Sequence, residues 1–308
     1  MNTTLAETSR ATSERPTSLA LACGLSAVLL MWGVNYVATS VALEHLDVLT
    51  LVAFRFEIAG AVMLAIYCFQ KRRVPIERRH IPILIALTFF GVIVNQGLFT
   101  TGLDYTLPSH SAIIVALDPI LILALARAMG IESLSAGKVV GMAMAFAGIA
   151  VLEIPHGQQG QARVLWGDSI TLGAAIGFSI YTVLAKRVAD HYDVIALNTF
   201  NCVGAAIAFL PIAVRQAFVL DWKAVAWQGW AGVFYMALFS SVAAYMVYYW
   251  ALRHMDPSRV AVINYLQPIL VILAAAAFLS ERPSGHLLLG TAVVLAGVYL
   301  AERGAHIV

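Results

Sequence analysis

Asp118, Arg55 and Glu57 are ionisable residues inside long apolar stretches of the chain, where a charge is costly and its position informative. Asp118 lies about nine residues into its run, hence ~13 Å along a helix and close to the middle of a ~30 Å hydrocarbon layer. A carboxylate there can hold a proton or the ammonium group of a solute, each displacing the other, which is the chemistry of a coupled carrier. It can equally be one half of a structural ion pair with Arg55, which sits at a similar depth, and both readings stand at this point. Arg55 and Glu57 are two positions apart and occupy different helix faces, so at least one needs a partner from another helix. A structural or gating ion pair is open to Arg55. Glu57 has no assigned part, and a second proton site is open to it.

Amide and aromatic side chains gather in the same stretches. Trp32, Asn35, Asn95, Gln96, Tyr181, Tyr245, Asn264, Tyr265 and Gln267 join Asp118 as the expected lining of a solute site, because buried amides need partners and a hydrated cavity supplies them. The run Tyr248 to Trp250 instead reads as an interfacial aromatic belt. Pro119 and Pro268 each remove a backbone donor in mid-helix, which suits a hinge or a cavity wall, a plain packing kink being the alternative. The cysteines Cys23, Cys68 and Cys202 show no CxxC spacing and read as free, buried thiols. Neither a metal site nor a cofactor is expected.

These side chains need helices to hold them. With 61% hydrophobic and 12% charged residues, the chain is too apolar for a soluble domain and is expected to be a membrane protein. The net charge of +2 is small and no basic patch interleaves with aromatics, so nucleic acid is not an expected partner. Ten apolar runs follow one another, near residues 18–41, 48–69, 81–103, 109–129, 136–154, 167–187, 194–215, 229–251, 258–280 and 285–302. The first is longer than a secretory h-region and lacks a cleavage site, so it is expected to remain as a helix.

The stretch from Gly102 to Leu121 repeats 149 residues later, from Ala251 to Leu270. Pro108 falls on Pro257, Ser109 on Ser258 and Pro119 on Pro268, and the register continues through Glu132 and Glu281, Gly141 and Gly290, Gly148 and Gly297, and Glu153 and Glu302. Asp118 falls on Gln267, so both copies put a polar side chain beside the proline. The expected organisation is a polar tail (1–17), a first five-helix repeat (18–154), a loop (155–166), a second repeat (167–302) and a short tail (303–308). Counting Lys and Arg in alternate loops gives fourteen on the side of both termini and four on the other, which predicts cytoplasmic termini. Because five is odd, the second copy enters the membrane with opposite polarity, an inverted repeat typical of secondary transporters. The glycine pairs of the fifth and tenth helices, seven apart on one face, read as scaffold or a dimer contact, leaving monomer and homodimer both open.

The motifs resemble those of the drug/metabolite transporter superfamily, and within it the ten-helix EamA-type exporters. The resemblance rests on Trp32, Gly33 and Asn35, on Arg55, on the two Pro…Glu…Gly…Gly series, on Gly167 and Asp168 opening the sixth helix, and on the Phe178/Tyr181 region. It covers nearly the whole chain. Asp118 departs from it, since an apolar or small polar residue is more usual before that proline. The resemblance implies a central site built by helices 1, 3, 4, 6, 8 and 9 in a bacterial inner-membrane exporter working by alternating access. It does not name the solute. Amides, tyrosines and one acid suit amino acids, aromatic ones included, with proton coupling through Asp118 and uncoupled export both open. A proton-coupled exporter of cationic drugs is the first alternative and an intramembrane enzyme the remote one. Against the enzyme, the chain has no HExxH, GxSxG or P-loop, and most of its eight histidines lie at helix ends or in loops.

Overall fold

The computed structural model describes residues 16–70, 76–130, 135–152, 161–257, 260, 262–281 and 283–303. Residues 1–15 of the polar tail, residues 155–160 of the expected 155–166 loop, the end of the C-terminal tail, and Glu132, Glu153, Ser258 and Arg282 lie outside them. Among the described residues the chain is helical, with no strand. We label the elements α1 (Ser18–Leu43), α2 (Val48–Phe69), α3 (Arg78–Tyr105), α4 (Pro108–Ala128), α5 (Ala136–Leu152), α6 (Gln161–Ala189), α7 (Val194–Val219), α8 (Trp227–His254), α9 (Gln267–Phe278) and α10 (Gly285–Arg303). Seven of these, α1 to α4 and α6 to α8, are long and apolar enough to cross a membrane, and α5, α9 and α10 carry shorter apolar segments.

Local sequence starts and stops the helices. Thr17, Asp47 and Asp193 cap α1, α2 and α7, each side chain accepting from a backbone N–H three residues on. Pro108 sits in the first turn of α4, where a missing N–H costs nothing. α6 begins at Gln161, so Gly167 and Asp168 lie inside it rather than opening it as expected.

The two prolines do more than bend their helices. α4 stops at Val115, turns through Ala116 and Leu117, and restarts at Asp118 with Pro119 in its first turn. α9 repeats the device: a 3₁₀ turn at Val262–Tyr265, a break at Leu266 and a restart at Gln267. Inside α3 and α8 the helix widens to π geometry over Phe89–Val94 and Met236–Ala243. Shifted by the 149-residue offset the first segment falls within the second, so both copies place the widening at one register.

α2 packs on α7 and α5 on α10, while α3 packs on α6 and α1 on α8. Moving each member five helices along the chain turns these contacts into one another. Among the described residues the three largest apolar clusters centre on α2, α7 and α8, on α4, α5, α9 and α10, and, rich in aromatics, on α1, α3, α6 and α8. In α5 and α10 the small residues face each other. A Cβ on Gly297 would lie 2.5 Å from the Ala145 nitrogen, and one on Gly148 2.7 Å from the Val294 nitrogen. The glycine faces expected as scaffold or dimer contact are used within the chain.

Candidate functional site

A cavity with about 450 Å³ of empty space, its open mouth included, lies where six helices converge. α1 presents Trp32, Asn35 and Tyr36, whose i, i+3, i+4 spacing puts them on one face. α3 adds Asn95, Gln96 and Phe99, α4 adds Val115 and Asp118, and α6 adds Ala175 and Phe178. α8 supplies Ser240 and Tyr245, and Asn264 and Gln267 come from the broken region of α9. These are helices 1, 3, 4, 6, 8 and 9 of the chain, the set implied by the resemblance.

The polar wall is a directed hydrogen-bond chain. Tyr36 donates its hydroxyl to Gln267 Oε1 (3.0 Å), Gln267 Nε2 donates to Asn264 Oδ1 (3.0 Å), and Asn264 Nδ2 donates to Asp118 Oδ2 (2.9 Å). Across the cavity Gln96 Nε2 donates to Asn95 Oδ1 (2.6 Å) and to the Tyr245 hydroxyl (3.2 Å), while Asn95 Nδ2 donates to the Ala174 carbonyl (2.9 Å). Gln96 and Tyr245 are 149 residues apart, equivalent positions of the two copies meeting across the cavity. Three lining atoms are buried without a partner: Asp118 Oδ1, Asn35 Oδ1 and Gln96 Oε1. All three are acceptors, so what the wall lacks is donors.

Trp32 is the centre of the apolar side. Its ring lies 5.7 Å from Phe178, 5.5 Å from Tyr245 and 5.2 Å from Tyr248, in edge-on or tilted arrangements. Tyr248 and Tyr249 are fully buried, Tyr248 sharing a hydrogen bond of 2.9 Å with Thr182. They belong to the packed core beneath the cavity rather than to an interfacial belt.

Of the expected lining residues, Trp32, Asn35, Asn95, Gln96, Asp118, Tyr245, Asn264 and Gln267 share this cavity. Tyr181 is not on its wall: it is fully buried against Gly91, between Tyr245 and Tyr249. Tyr265 packs instead with the cluster of α4, α5, α9 and α10, because the 3₁₀ turn sends it away from Asn264. Tyr36, Phe99 and Ser240 were missed. Tyr36 and Phe99 follow Trp32 and Asn95 by one helical turn and were findable that way, whereas nothing in the sequence marks Ser240.

Arg55 does not pair with Asp118, which corrects the structural-pair reading of that acid. Its Nε donates to Ser241 Oγ (2.9 Å) and its Nη2 to Ser240 Oγ (3.4 Å), its guanidinium lies 5.2 Å from the Phe56 ring, and Nη1 has no partner. The reason is packing: α2 lies against the π segment of α8. Pro119 and Pro268 each sit one residue after a polar lining residue, at the restarts of α4 and α9. Of the cysteines only Cys202 is buried, Cys23 and Cys68 being exposed on α1 and α2. Among the described residues no three His, Cys, Asp or Glu side chains gather as metal ligands would.

Where α4 begins, polar contacts tie it to α6 and to the α9–α10 turn. Asp168 accepts from Thr106 Oγ1 (2.6 Å) and lies 2.9 Å from His110 Nδ1, and Ser109 bonds Glu281. Glu281 is shifted upward from the usual carboxylate range by burial, partly offset by His110 and Ser109.

A cavity with a polar wall among apolar helices suits a membrane carrier, and the relatives agree. The EamA-like transporter family model matches residues 19–154 and again 165–302, and the chain belongs to that family. It is 24% identical over 279 residues to the "Uncharacterized transporter YetK" of Bacillus subtilis, covering 90% of this chain and 84% of that one. It is 24% identical over 293 residues to the "Probable amino-acid metabolite efflux pump" of Salmonella typhimurium, covering 90% and 93%. One crystal structure shares the fold, with a TM-score of 0.66 at 21% identity over 94% of this chain and 99% of that one. The protein is a membrane transporter of the EamA type.

Proposed function

We propose that this transporter exports amino acids or similar small amphipathic metabolites from the bacterial cytoplasm across the inner membrane by alternating access. It does so as ten spanning helices in two inverted five-helix repeats with cytoplasmic termini. The observation that carries the solute class is Asp118, a carboxylate on the cavity wall with one oxygen hydrogen-bonded to Asn264 and the other unmet. An ammonium brings the donors that this oxygen, Asn35 and Gln96 lack. The rings of Trp32, Tyr36, Phe99, Phe178 and Tyr245 give the apolar part of a solute a surface, which favours aromatic amino acids within the class. The exchange symmetry of the helix contacts supports the inverted repeats. The Salmonella relative's name supports amino-acid metabolites.

A second reading, export of organic cations in exchange for protons, draws on the same carboxylate and on the lack of Lys, Arg or His on the wall. Uptake of labelled amino acids into proteoliposomes, with and without a pH gradient, separates the readings. With wild type, phenylalanine moves, and a pH gradient drives it uphill if proton and ammonium compete for Asp118. With Asp118→Asn, affinity for the amine-bearing solute falls roughly 10- to 100-fold, the worth of a charge-assisted hydrogen bond of ~1.5–3 kcal/mol. Transport of a cationic dye with no movement of any amino acid overturns the amino-acid reading.

A further inference from the structure

Resting on the amino-acid reading above, we propose that Ser240, with Arg55 behind it, is the anion pole of the cavity, so that the solute carried is a zwitterion whose carboxylate binds at the Ser240 hydroxyl.

Arg55 is 0% exposed and, among the described residues, has no acidic partner. Among the described residues its guanidinium is held by Ser240, Ser241 and the face of Phe56, and Nη1 is unmet. A cation embedded in protein within a bilayer is expensive unless a counter-charge arrives. Among the described residues nothing around it supplies one. The cavity lies one side chain away, because the serine that accepts from Nη2 is also a wall residue.

The direction of that hydrogen bond matters. The Ser240 oxygen accepts from the guanidinium, so its own hydrogen is free to turn to another acceptor, and a hydroxyl polarised by a cation is a strong donor. The backbone is built around this position. Ser240 lies in the π segment of α8, its carbonyl accepts from Trp32 Nε1 (3.4 Å), and the next two carbonyls accept from Asn198 Nδ2 (3.1 Å each). These contacts occupy three carbonyls of the widened turn, while the Ser240 hydroxyl oxygen accepts from Arg55 and the residue lines the cavity.

The site is therefore bipolar. Asp118, fed by the chain from Tyr36, is the negative pole on α4 and α9, and Ser240 backed by Arg55 is the positive pole on α8. A zwitterion neutralises both, and the occluded complex carries no uncompensated charge through the low-dielectric stage of transport. An organic cation satisfies Asp118 and leaves Arg55 alone; an organic acid does the reverse.

The test is binding to the purified full-length protein in lipid nanodiscs, using phenylalanine, phenylalanine methyl ester and phenylpropionate. Wild type is expected to prefer phenylalanine over the ester by about tenfold or more, the worth of one charge-assisted hydrogen bond. In Ser240→Ala, which keeps Arg55 and the π segment, the acid-to-ester ratio collapses towards one. In Arg55→Gln it collapses likewise, with thermal unfolding recorded to establish that the variant is folded. Equal wild-type affinity for acid and ester, or a ratio that survives Ser240→Ala, overturns the anion pole while leaving an amine-binding cavity standing. Binding of none of the three compounds overturns the solute class itself, and the anion pole with it.

Discussion

Asp118 is the charge with which the polar wall ends, and its orientation depends on three neutral side chains in line behind it. Tyr36 starts the line on α1, so Tyr36→Phe leaves Gln267 Oε1 buried without a donor. The expected cost is about 1–3 kcal/mol, seen as a lower midpoint in thermal or denaturant unfolding, together with weaker solute binding as Asn264 and Asp118 lose their alignment. Glu281 offers a pH test at the other cluster. Its upward shift means that the folded protein favours the neutral carboxyl. That contribution is complete below the ordinary carboxylate value of about 4.3 and is lost as pH rises through the raised folded value. Unfolding midpoints of wild type and Glu281→Gln, compared across the acidic range, should diverge as pH rises, the variant lacking this loss.

At the level of elements, adding a side chain has opposite consequences at two glycines. Gly297→Leu forces a side chain into the Ala145 backbone of α5 and should destabilise by about 2 kcal/mol or more, read as a lower unfolding midpoint. Gly97→Ala meets nothing within 4 Å and should be neutral or stabilise α3 by roughly 0.5–1 kcal/mol. The positions of helices were legible from apolar runs, and Pro119 and Pro268 marked the right places in α4 and α9. The sequence did not reveal that the helices there are interrupted, which depends on whether neighbouring groups take up the freed backbone. The π segments were invisible too. Phe89–Val94 and Met236–Ala243 read as ordinary apolar helix, yet they lie just before Asn95 and around Ser240 and decide which way those side chains point.

For the whole molecule, the inverted-repeat proposal makes a prediction about sidedness. In a background with Cys23, Cys68 and Cys202 replaced by Ser, a cysteine introduced at Arg79 should react with a membrane-impermeant reagent only from the cytoplasmic face. One introduced at Lys223 should react only from the opposite face. Reaction of both from one face would remove the inverted topology. On that proposal, the contact between Gln96 and Tyr245, equivalent residues of the two copies, puts the exchange axis through the cavity. On the same proposal both copies contribute to one site, and an exchange of their conformations exposes it to either face in turn.

Composition, the 149-residue offset and the placement of polar residues in apolar runs determined from sequence alone that this is a helical membrane protein of two similar halves, and which helices merit attention. They did so because the bilayer permits few solutions and penalises each misplaced polar group. The tertiary structure decided the partners. Arg55 and Asp118 share a depth in sequence but belong to different neighbours, Arg55 to the serines of α8 and Asp118 to Asn264 beside the α9 break. Tyr181 and Tyr265 are tyrosines in the expected helices that face the packed core. Depth along a helix can be counted from residue numbers; rotation about its axis, altered by two π turns and two breaks, is set only when the helices pack.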